Sequence, residues 1–464
     1  MDSGSAPGEW IKLHSARGKI SVSNNKVLKL KVGKRKPMDL SSLPEINNLI
    51  LKEIDLSFSG ITDISLSYLK NQTSLKSLSL AETKVTNDGL KYLKDNTNIE
   101  ILNLHDTLIT DFGLREICAL ANLKILDITS TKIGNKGLKE LRCLKNIEYL
   151  ILRDTRITNP GVKYLANIHS LRNIDLGETQ ISDPGLLSLS GCSNVDHLCL
   201  QDTNVSDSGL IHLRNLDNLK IIYLEGSRVT GYGLKYIADI PKLELLSMTG
   251  LNVNDDDLFA LNKMPFLNDI GLAFTNITDK GVRNLTELES LKSLNVSRTS
   301  VSDYGLEAMA NCPNLISLEL SRTKITDSGL AYIGKIDNLK KLDVSNTSIG
   351  DAGVYNLSNL KNILELRLSN TYVSDASLSY LSNMNKIKYL SLWRTYISDL
   401  GIKQLLNFPD LIYLNLEYTR ITDQALITLE KIKSLRHLFI NDTNISRDQK
   451  SKLQRKLPRC KISL

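Results

Sequence analysis

A fixed 24-residue period constrains this chain more than any other feature. Starting at Leu56, an apolar residue recurs every 24 positions as far as Ile440, which makes 17 units without insertion or deletion. A second apolar column runs two residues ahead of the first. A period of this length is typical of solenoids, in which each unit packs only on its neighbours. We therefore expect one continuous array, numbered from repeat one at Leu56 to repeat seventeen at Ile440.

The unit that ends its apolar run at Leu320 shows how one repeat should fold. Apolar and polar residues alternate up to Leu320, which predicts a short half-buried strand. Thr326 and Asp327 then supply N-cap oxygens for a helix. Leu330 and Ile333 lie three apart, so they share the buried face of that helix. One strand and one short helix per unit predict a parallel sheet on one side and helices on the other.

Two further columns of the repeat are interpreted as structural. The column of Thr323 holds threonine in 14 of the 17 units, and Ser59, Ser227 and Leu251 are the exceptions. A buried hydroxyl there can bond the backbone of its own or the adjacent unit. Gly329, near the start of the helix, allows a close approach of the backbone. We therefore assign no functional role to either column.

The pattern Leu-x-x-Leu-x-Leu-x-x-Thr-x-Ile-Thr-Asp-x-Gly-Leu-x-x-Leu resembles the leucine-rich-repeat superfamily. It is most similar to the 24-residue class of bacterial repeat proteins and to the repeats of F-box adaptors. The resemblance implies an α/β fold, a right-handed horseshoe-shaped solenoid with a parallel sheet on the concave face and short helices on the convex face. It also implies a non-catalytic scaffold that recognises a protein partner on its concave face.

The ends of the chain are predicted to be caps. Residues 1–50 form an N-terminal extension and cap, with a strand near 28–32, and residues 51–446 form the 17 repeats. Residues 447–464 supply a polar capping helix followed by a final strand. A solenoid needs polar ends to stay soluble, because its terminal units lack one neighbour.

An adaptor function is the alternative. The segment Leu43–Ile46 faintly resembles the start of an F-box, which would make the chain the substrate-recognition subunit of an F-box-like ubiquitin ligase. That motif needs some tens of residues of helix before the first repeat, and the first repeat strand begins too soon for it. A secreted bacterial effector is the other form of this alternative.

Catalysis is not expected from the sequence. The six histidines are dispersed without metal-ligand spacing. No phosphate-binding glycine loop or nucleophile elbow appears, and the glycines follow the repeat period. We therefore predict no catalytic site, no metal and no cofactor.

Composition bounds the partners and the compartment. The net charge of +7 is modest for 464 residues and spread along the chain, which disfavours nucleic acid. The basic run Lys26–Lys36 is either an anion-binding patch or a solvated cap strand. No run of about 18 apolar residues predicts a membrane span. The start of the chain has no apolar signal-peptide core. The six cysteines are scattered, and we interpret them as reduced, with Cys192 and Cys312 as small buried fillers. We therefore expect a cytoplasmic protein, and we expect it to be a monomer.

The concave face is predicted to be uneven. Repeats three to eight are mainly acidic around Arg153, and repeats eleven to fifteen carry more arginine. A column of serines from Ser297 to Ser369 ends at Trp393. Exposed aromatics and arginines are enriched at interface hot spots. We therefore place the partner-binding site in repeats fourteen to seventeen, on these residues: Arg367, Tyr389, Trp393, Arg394, Tyr413, Tyr418, His437 and Phe439.

Repeat nine departs from the pattern. Leu251 replaces the turn threonine, and Asp257 replaces the glycine near the helix start. Either the array bends slightly there, or Leu251 packs in an apolar pocket.

Overall fold

The computed structural model of the protein describes residues 28–31, 40, 51–70 and 72–463. Within these ranges one parallel sheet of 19 strands runs through the chain, and each strand pairs with the next one in sequence. The strands are β1 Leu28–Lys31, β2 Leu51–Asp55, β3 Ser77–Ser79, β4 Ile101–Asn103, β5 Ile125–Asp127, β6 Tyr149–Ile151, β7 Asn173–Asp175, β8 His197–Cys199, β9 Ile221–Tyr223, β10 Leu245–Ser247, β11 Asp269–Gly271, β12 Ser293–Asn295, β13 Ser317–Glu319, β14 Lys341–Asp343, β15 Glu365–Arg367, β16 Tyr389–Ser391, β17 Tyr413–Asn415, β18 His437–Phe439 and β19 Lys461–Ile462.

Short helices follow the strands. The α-helices are α1 Asp63–Leu66, α2 Asn87–Leu90, α3 Asp111–Glu116, α4 Asn135–Glu140, α5 Asn159–Val162, α6 Asp183–Leu189, α7 Asp207–Leu210, α8 Leu234–Ile237, α9 Asp279–Leu285, α10 Asp303–Met309, α11 Asp327–Ile333, α12 Asp351–Asn356, α13 Asp375–Tyr380, α14 Asp399–Ile402, α15 Leu426–Leu429 and α16 Arg447–Lys456. Segments of 3-10 helix are Ser67–Leu69, Lys91–Leu93, Ile117–Ala119, Leu141–Cys143, Leu165–Asn167, Ile211–Asn215, Gly231–Gly233, Asp255–Lys263, Leu381–Asn383, Lys403–Asn407 and Asp423–Ala425.

The predicted α/β solenoid is confirmed. In β13 the central residue Leu318 is fully buried and pairs in register with Leu342 of the next repeat. Leu320, which follows the strand, is also fully buried, as are Leu330 and Ile333 of α11. Burying one such side chain contributes about 1.5–3 kcal/mol to folding, so the repeated columns supply the core.

The hydroxyl column bonds within its own repeat. The Oγ1 of Thr323 donates to the carbonyl of Leu320 at 2.6 Å, and every threonine of the column repeats this contact. Ser59 donates in the same way to Leu56. These bonds satisfy a carbonyl that has no helical partner, which is the structural role that the sequence predicted.

A ladder of carboxylates joins successive repeats on the helix side. Asp303 accepts from the backbone N–H of Thr326 at 2.8 Å and from its Oγ1 at 2.6 Å. We expected the aspartate to cap its own helix, and it instead binds the N-cap residue of the next one, since Thr326 directly precedes α11. The threonine does cap its own helix, since the N–H of Ser328 donates to it. A Cβ on Gly329 would lie 2.4 Å from Asp303 Oδ1, so the glycine makes room for the carboxylate.

Repeat nine accommodates its substitutions locally. Leu251 is buried, which is the packing alternative of the prediction. β10 stays in register with both neighbouring strands. On the helix side, the repeat replaces its α-helix by the 3-10 segment Asp255–Lys263. The departure from the pattern therefore changes the helix and leaves the strand pairing intact.

The C-terminal end has a helix and a short strand. α16 begins after Ser446, whose N–H donates to Asp423 at 2.8 Å, so the helix continues the carboxylate ladder. β19 is shorter than the strand we predicted up to Leu464. At the other end, β1 pairs with β2 where a cap strand was predicted. The rest of residues 1–50 apart from Leu40, including most of the basic run and Leu43–Ile46, lies outside the described residues.

Two cysteines correct the expectation of reduced thiols. Cys118 and Cys143 form a disulfide with an S–S distance of 2.09 Å, and their Cα atoms lie 5.5 Å apart. They are 25 residues apart in sequence, and stacking of adjacent repeats places residues with this separation side by side. Cys192 and Cys312 are buried and free, as predicted for apolar fillers. Burial raises the pKa of the Cys192 thiol to about 12 and that of Cys312 to about 11.

Candidate functional site

A ridge of left-handed residues borders the exposed face of the sheet, which we call the sheet face. One residue per repeat has a positive φ, 17 in all, from Phe58 to Asp442. Two of the 17 are glycines, Gly226 and Gly250. A non-glycine residue seldom adopts this conformation, so the stacked backbone imposes it. We call these 17 residues the ridge. Arg394 and Tyr418, two of the predicted site residues, belong to it.

Four of the predicted site residues form an aromatic cluster on β16–β18. The rings of Tyr389 and Tyr413 are 6.2 Å apart between centroids, and those of Tyr413 and Phe439 are 5.2 Å apart. The ring of His437 lies 6.5 Å from that of Tyr413, again between centroids. Their strands are paired in register, which places the side chains next to one another across the ladder. Tyr389 is 43 % exposed, so the cluster is accessible to a partner.

Trp393 and Tyr418 form a second contact at the ends of the strands. Their rings meet edge to face, with centroids 5.8 Å apart. Trp393 is partly buried and Tyr418 is exposed. A hydrogen bond to the carboxylate of Asp442 raises the pKa of the Tyr418 hydroxyl. The predicted residues thus form two neighbouring aromatic groups, one on the strands and one at the ridge.

The two arginines of the predicted site differ in their partners. Arg367 binds Glu365 at 2.5 Å and lies 3.7 Å from Asp343, so its charge is already balanced within the chain. Arg394 is exposed, and no carboxylate among the described residues lies within salt-bridge distance of it. A carboxylate of a partner would have to displace Glu365 or Asp343 to bind Arg367. It could bind Arg394 directly.

Family comparison covers five segments of the array. The model described as Leucine Rich repeat matches residues 71–94, 119–141, 143–166, 311–334 and 337–358. These segments lie in both halves of the sheet just described. The chain is a leucine-rich-repeat protein. Among curated proteins, none matches it significantly.

Solved structures share the leucine-rich-repeat fold. Toll-like receptor 13 in its complex with ssRNA13 aligns with a TM-score of 0.59 at 16 % identity, over 92 % of this chain and 64 % of that one. An internalin of Listeria monocytogenes is 23 % identical over 77 % of this chain and 89 % of its own, with a TM-score of 0.46. The likeness to the receptor supports the fold of this leucine-rich-repeat array.

A polar network covers the sheet face of repeats five to eight, and sequence reasoning missed it. Arg153 donates to Glu178 at 2.6 Å and reaches across one repeat to Gln201 at 3.0 Å. Gln201 in turn donates to Glu225 at 2.9 Å. A Cβ on Gly177 would lie 2.6 Å from the Arg153 guanidinium, so this glycine allows the long reach. The signal in the sequence was a glycine that stands outside the periodic glycine column.

The acidic and basic residues of repeats twelve to fourteen form a second polar group beside the aromatic cluster. Burial raises the pKa of Glu319, and the neighbouring Asp343 carboxylate raises it further. Arg367 opposes both effects. A partner with cationic groups would therefore find carboxylates next to aromatic rings on this leucine-rich-repeat surface.

In residues 28–31, 40, 51–70 and 72–463, no group of three or more His, Cys, Asp or Glu side chains is placed to hold a metal ion. Over the same ranges, none of the helices has the length and apolar character needed to cross a bilayer.

Proposed function

We propose that this leucine-rich-repeat protein is a non-catalytic scaffold whose sheet face binds a protein partner in repeats fourteen to seventeen. The observation that carries the proposal is the presence of two neighbouring aromatic groups, the cluster on β16–β18 and the Trp393–Tyr418 pair. Exposed rings leave apolar area in water, and burying them against a partner releases that cost. Tyrosine, tryptophan and arginine are also the residue types enriched at binding hot spots.

The rest of the array supports this choice of site. Tyr149 occupies the position of Tyr389 in repeat five, and no ring among the described residues stacks on it. At the position of Trp393, repeat five has Arg153, which forms an ion pair with Glu178 and donates a hydrogen bond to Gln201. Stacked aromatic side chains at these positions are therefore a feature of the C-terminal end of the array.

A photo-cross-linking experiment tests the proposal. A benzophenone amino acid is introduced at Ser391, between the two aromatic groups, and in a separate variant at Ile151, the matched position of repeat five. We expect cross-links to a protein from the native source at position 391, and their loss when Trp393→Ala is added. Equal yields at both positions, or cross-links that run only to nucleic acid, would overturn the proposal.

The adaptor alternative has no support among the described residues, because Leu43–Ile46 lies outside them. A cytoplasmic location was predicted partly from reduced cysteines. The Cys118–Cys143 bond weighs against that argument, since disulfides persist mainly in oxidising compartments.

A further inference from the structure

We propose that the ridge pairs with the ridge of a second copy of this chain, antiparallel, about a two-fold axis through repeat nine. Repeat nine is the middle of the 17, with eight repeats on either side. Backbone hydrogen bonds fix the ridge from repeat to repeat, as in the bond from Arg298 N–H to the carbonyl of Ser321 at 2.7 Å. Because every repeat has the same length, a two-fold axis through repeat nine pairs each ridge residue with the one equally far from repeat nine on the other side.

The charges of the ridge are self-complementary in this arrangement. Repeat eleven would face repeat seven, repeat twelve would face six, and repeat fifteen would face three. The ridge carries an arginine in repeats eleven, twelve and fifteen, and a carboxylate in repeats seven, six and three. The pairs are Arg298 with Asp202, Arg322 with Glu178, and Arg394 with Asp106. The two-fold axis doubles these to six ion pairs, and every arginine of the ridge is matched.

The centre of the ridge is shaped for close contact. Gly250 of repeat nine would face itself, and no atom lies within 4 Å of where its Cβ would stand. Gly226 would face Phe274, whose ring is 54 % exposed and stacks under the guanidinium of Arg298 at 4.4 Å. The largest exposed ring near the axis thus meets the smallest residue.

The remaining ridge positions are mostly polar on both sides. Ser130 would face Asn370, and Asp154 would face Asn346, so amides meet a hydroxyl and a carboxylate. The outermost pair, Phe58 with Asp442, is not matched. Charge complementarity therefore extends from repeat three to repeat fifteen and is missing at the outermost pair.

The ridge charges remain available for a partner. Within the described ranges, Arg298 and Arg322 have no carboxylate within salt-bridge distance, in contrast to Arg153 and Arg367. Glu178 and Asp202 both approach Arg153, yet their side chains are still 46 % and 57 % exposed. This inference replaces our expectation of a monomer with a dimer held by charge pairing.

Salt provides the first test. Light scattering on the purified full chain should show a dimer in about 50 mM NaCl that dissociates in about 500 mM, because salt screens exposed ion pairs. A chain that stays monomeric at concentrations up to about 100 µM in low salt would overturn the proposal.

A charge exchange provides the sharper test. Variant A carries Arg298→Asp and Arg322→Glu, and variant B carries Asp202→Arg and Glu178→Arg. Both residue types already occur at positive φ in the ridge, so the backbone tolerates the exchange. Each variant alone should dimerise at least about tenfold more weakly, since its matched pairs become repulsive. An equimolar mixture should form an A–B heterodimer, in which every exchanged pair is complementary again.

The control variant carries Lys163→Glu and Lys403→Glu, two exposed lysines on the helix side. It changes the net charge as much as variant A and should dimerise like the wild type. Thermal unfolding of variant B checks that three arginines around position 153 leave the fold intact. Variant A dimerising as the wild type does, or a mixture of A and B that stays monomeric while both are folded, would contradict the proposal.

Discussion

Gly231 and Asp257 have exchanged the roles that aspartate and glycine have elsewhere in the array. In a regular repeat the first helical residue is an acid or amide that accepts from the next N-cap residue, and the glycine of the next helix makes room for it. Here the carboxylate of Asp257 accepts from the N–H of Asn254 at 2.8 Å. A Cβ on Gly231 would lie 1.9 Å from that carboxylate. The N–H of the N-cap residue is thus satisfied by an acceptor of its own repeat, and not by one of the preceding repeat.

This exchange predicts a compensating pair of substitutions. Gly231→Asp should destabilise the protein, because its side chain would clash with Asp257. Asp257→Gly should destabilise it by roughly 1–3 kcal/mol, because the Asn254 N–H loses its acceptor. The double variant should recover most of both losses, since it recreates the regular ladder. Urea unfolding and hydrogen exchange at Asn254 measure this, and purely additive losses would refute the exchange.

The carboxylate ladder predicts a loss of stability in acid. Burial alone would raise the pKa of Asp351, but hydrogen bonds from Ser374 and Ser377 outweigh it, and the pKa lies below its ordinary value of 3.8. A carboxyl group whose pKa is lower in the folded state than in the unfolded state stabilises the protein at any pH above the unfolded-state pKa. This stabilisation is lost as the pH falls through the folded-state pKa. Asp351→Asn should therefore cost about 1 kcal/mol near pH 7, and this cost should shrink as the pH falls below 3.8. A cost independent of pH would argue against the ionised ladder.

Glu319 predicts the opposite trend. Its pKa is raised by burial and by Asp343, so ionisation costs stability as the pH rises above its ordinary value of 4.5. Glu319→Gln should therefore have a free energy of unfolding roughly 0.5 kcal/mol higher than that of the wild type at pH 7. Near pH 4 the two proteins should be equally stable. Urea unfolding at both pH values measures the difference. Destabilisation at pH 7 would show that the ionised carboxylate is needed by its neighbours, Arg367 among them.

The disulfide predicts a stability difference between oxidised and reduced protein. Closing a loop of this size restricts the unfolded chain and is worth about 3 kcal/mol. Reduction, or Cys118→Ser with Cys143→Ser, should lower the free energy of unfolding by about that amount, whereas Cys192→Ser should leave the redox dependence unchanged. Peptide mapping without reductant should recover the two cysteines in one linked pair, and free thiols at both positions would contradict it.

The strands and buried columns could be predicted because each rests on a pattern within one repeat. The alternation before Leu320 and the spacing of Leu330 and Ile333 depend only on local periodicity, and the structure buries all three. The role of the Thr323 column followed likewise, since its hydroxyl has a partner three residues away.

The contacts that sequence reasoning missed join different repeats. Asp303 binds the next repeat, and Cys118 joins a cysteine 25 residues on, so neither is visible in a single unit. The ridge was missed because its left-handed backbone is imposed by stacking, and residues such as Arg394 and Tyr418 do not favour that conformation. The aromatic residues were brought together as predicted, but as two groups, and Arg367 already has acidic partners.

Binding of a captured partner to position-matched variants tests the central claim most directly. Trp393→Ala and Arg153→Ala alter the same position of the repeat, ten repeats apart in the array, and surface-based binding measurements give the dissociation constant of each. We predict that Trp393→Ala weakens binding at least about 30-fold, corresponding to about 2 kcal/mol, while Arg153→Ala stays within about threefold of the wild type. Wild-type affinity for Trp393→Ala, together with loss of binding for Arg153→Ala, would contradict the account and place the partner on the polar network instead.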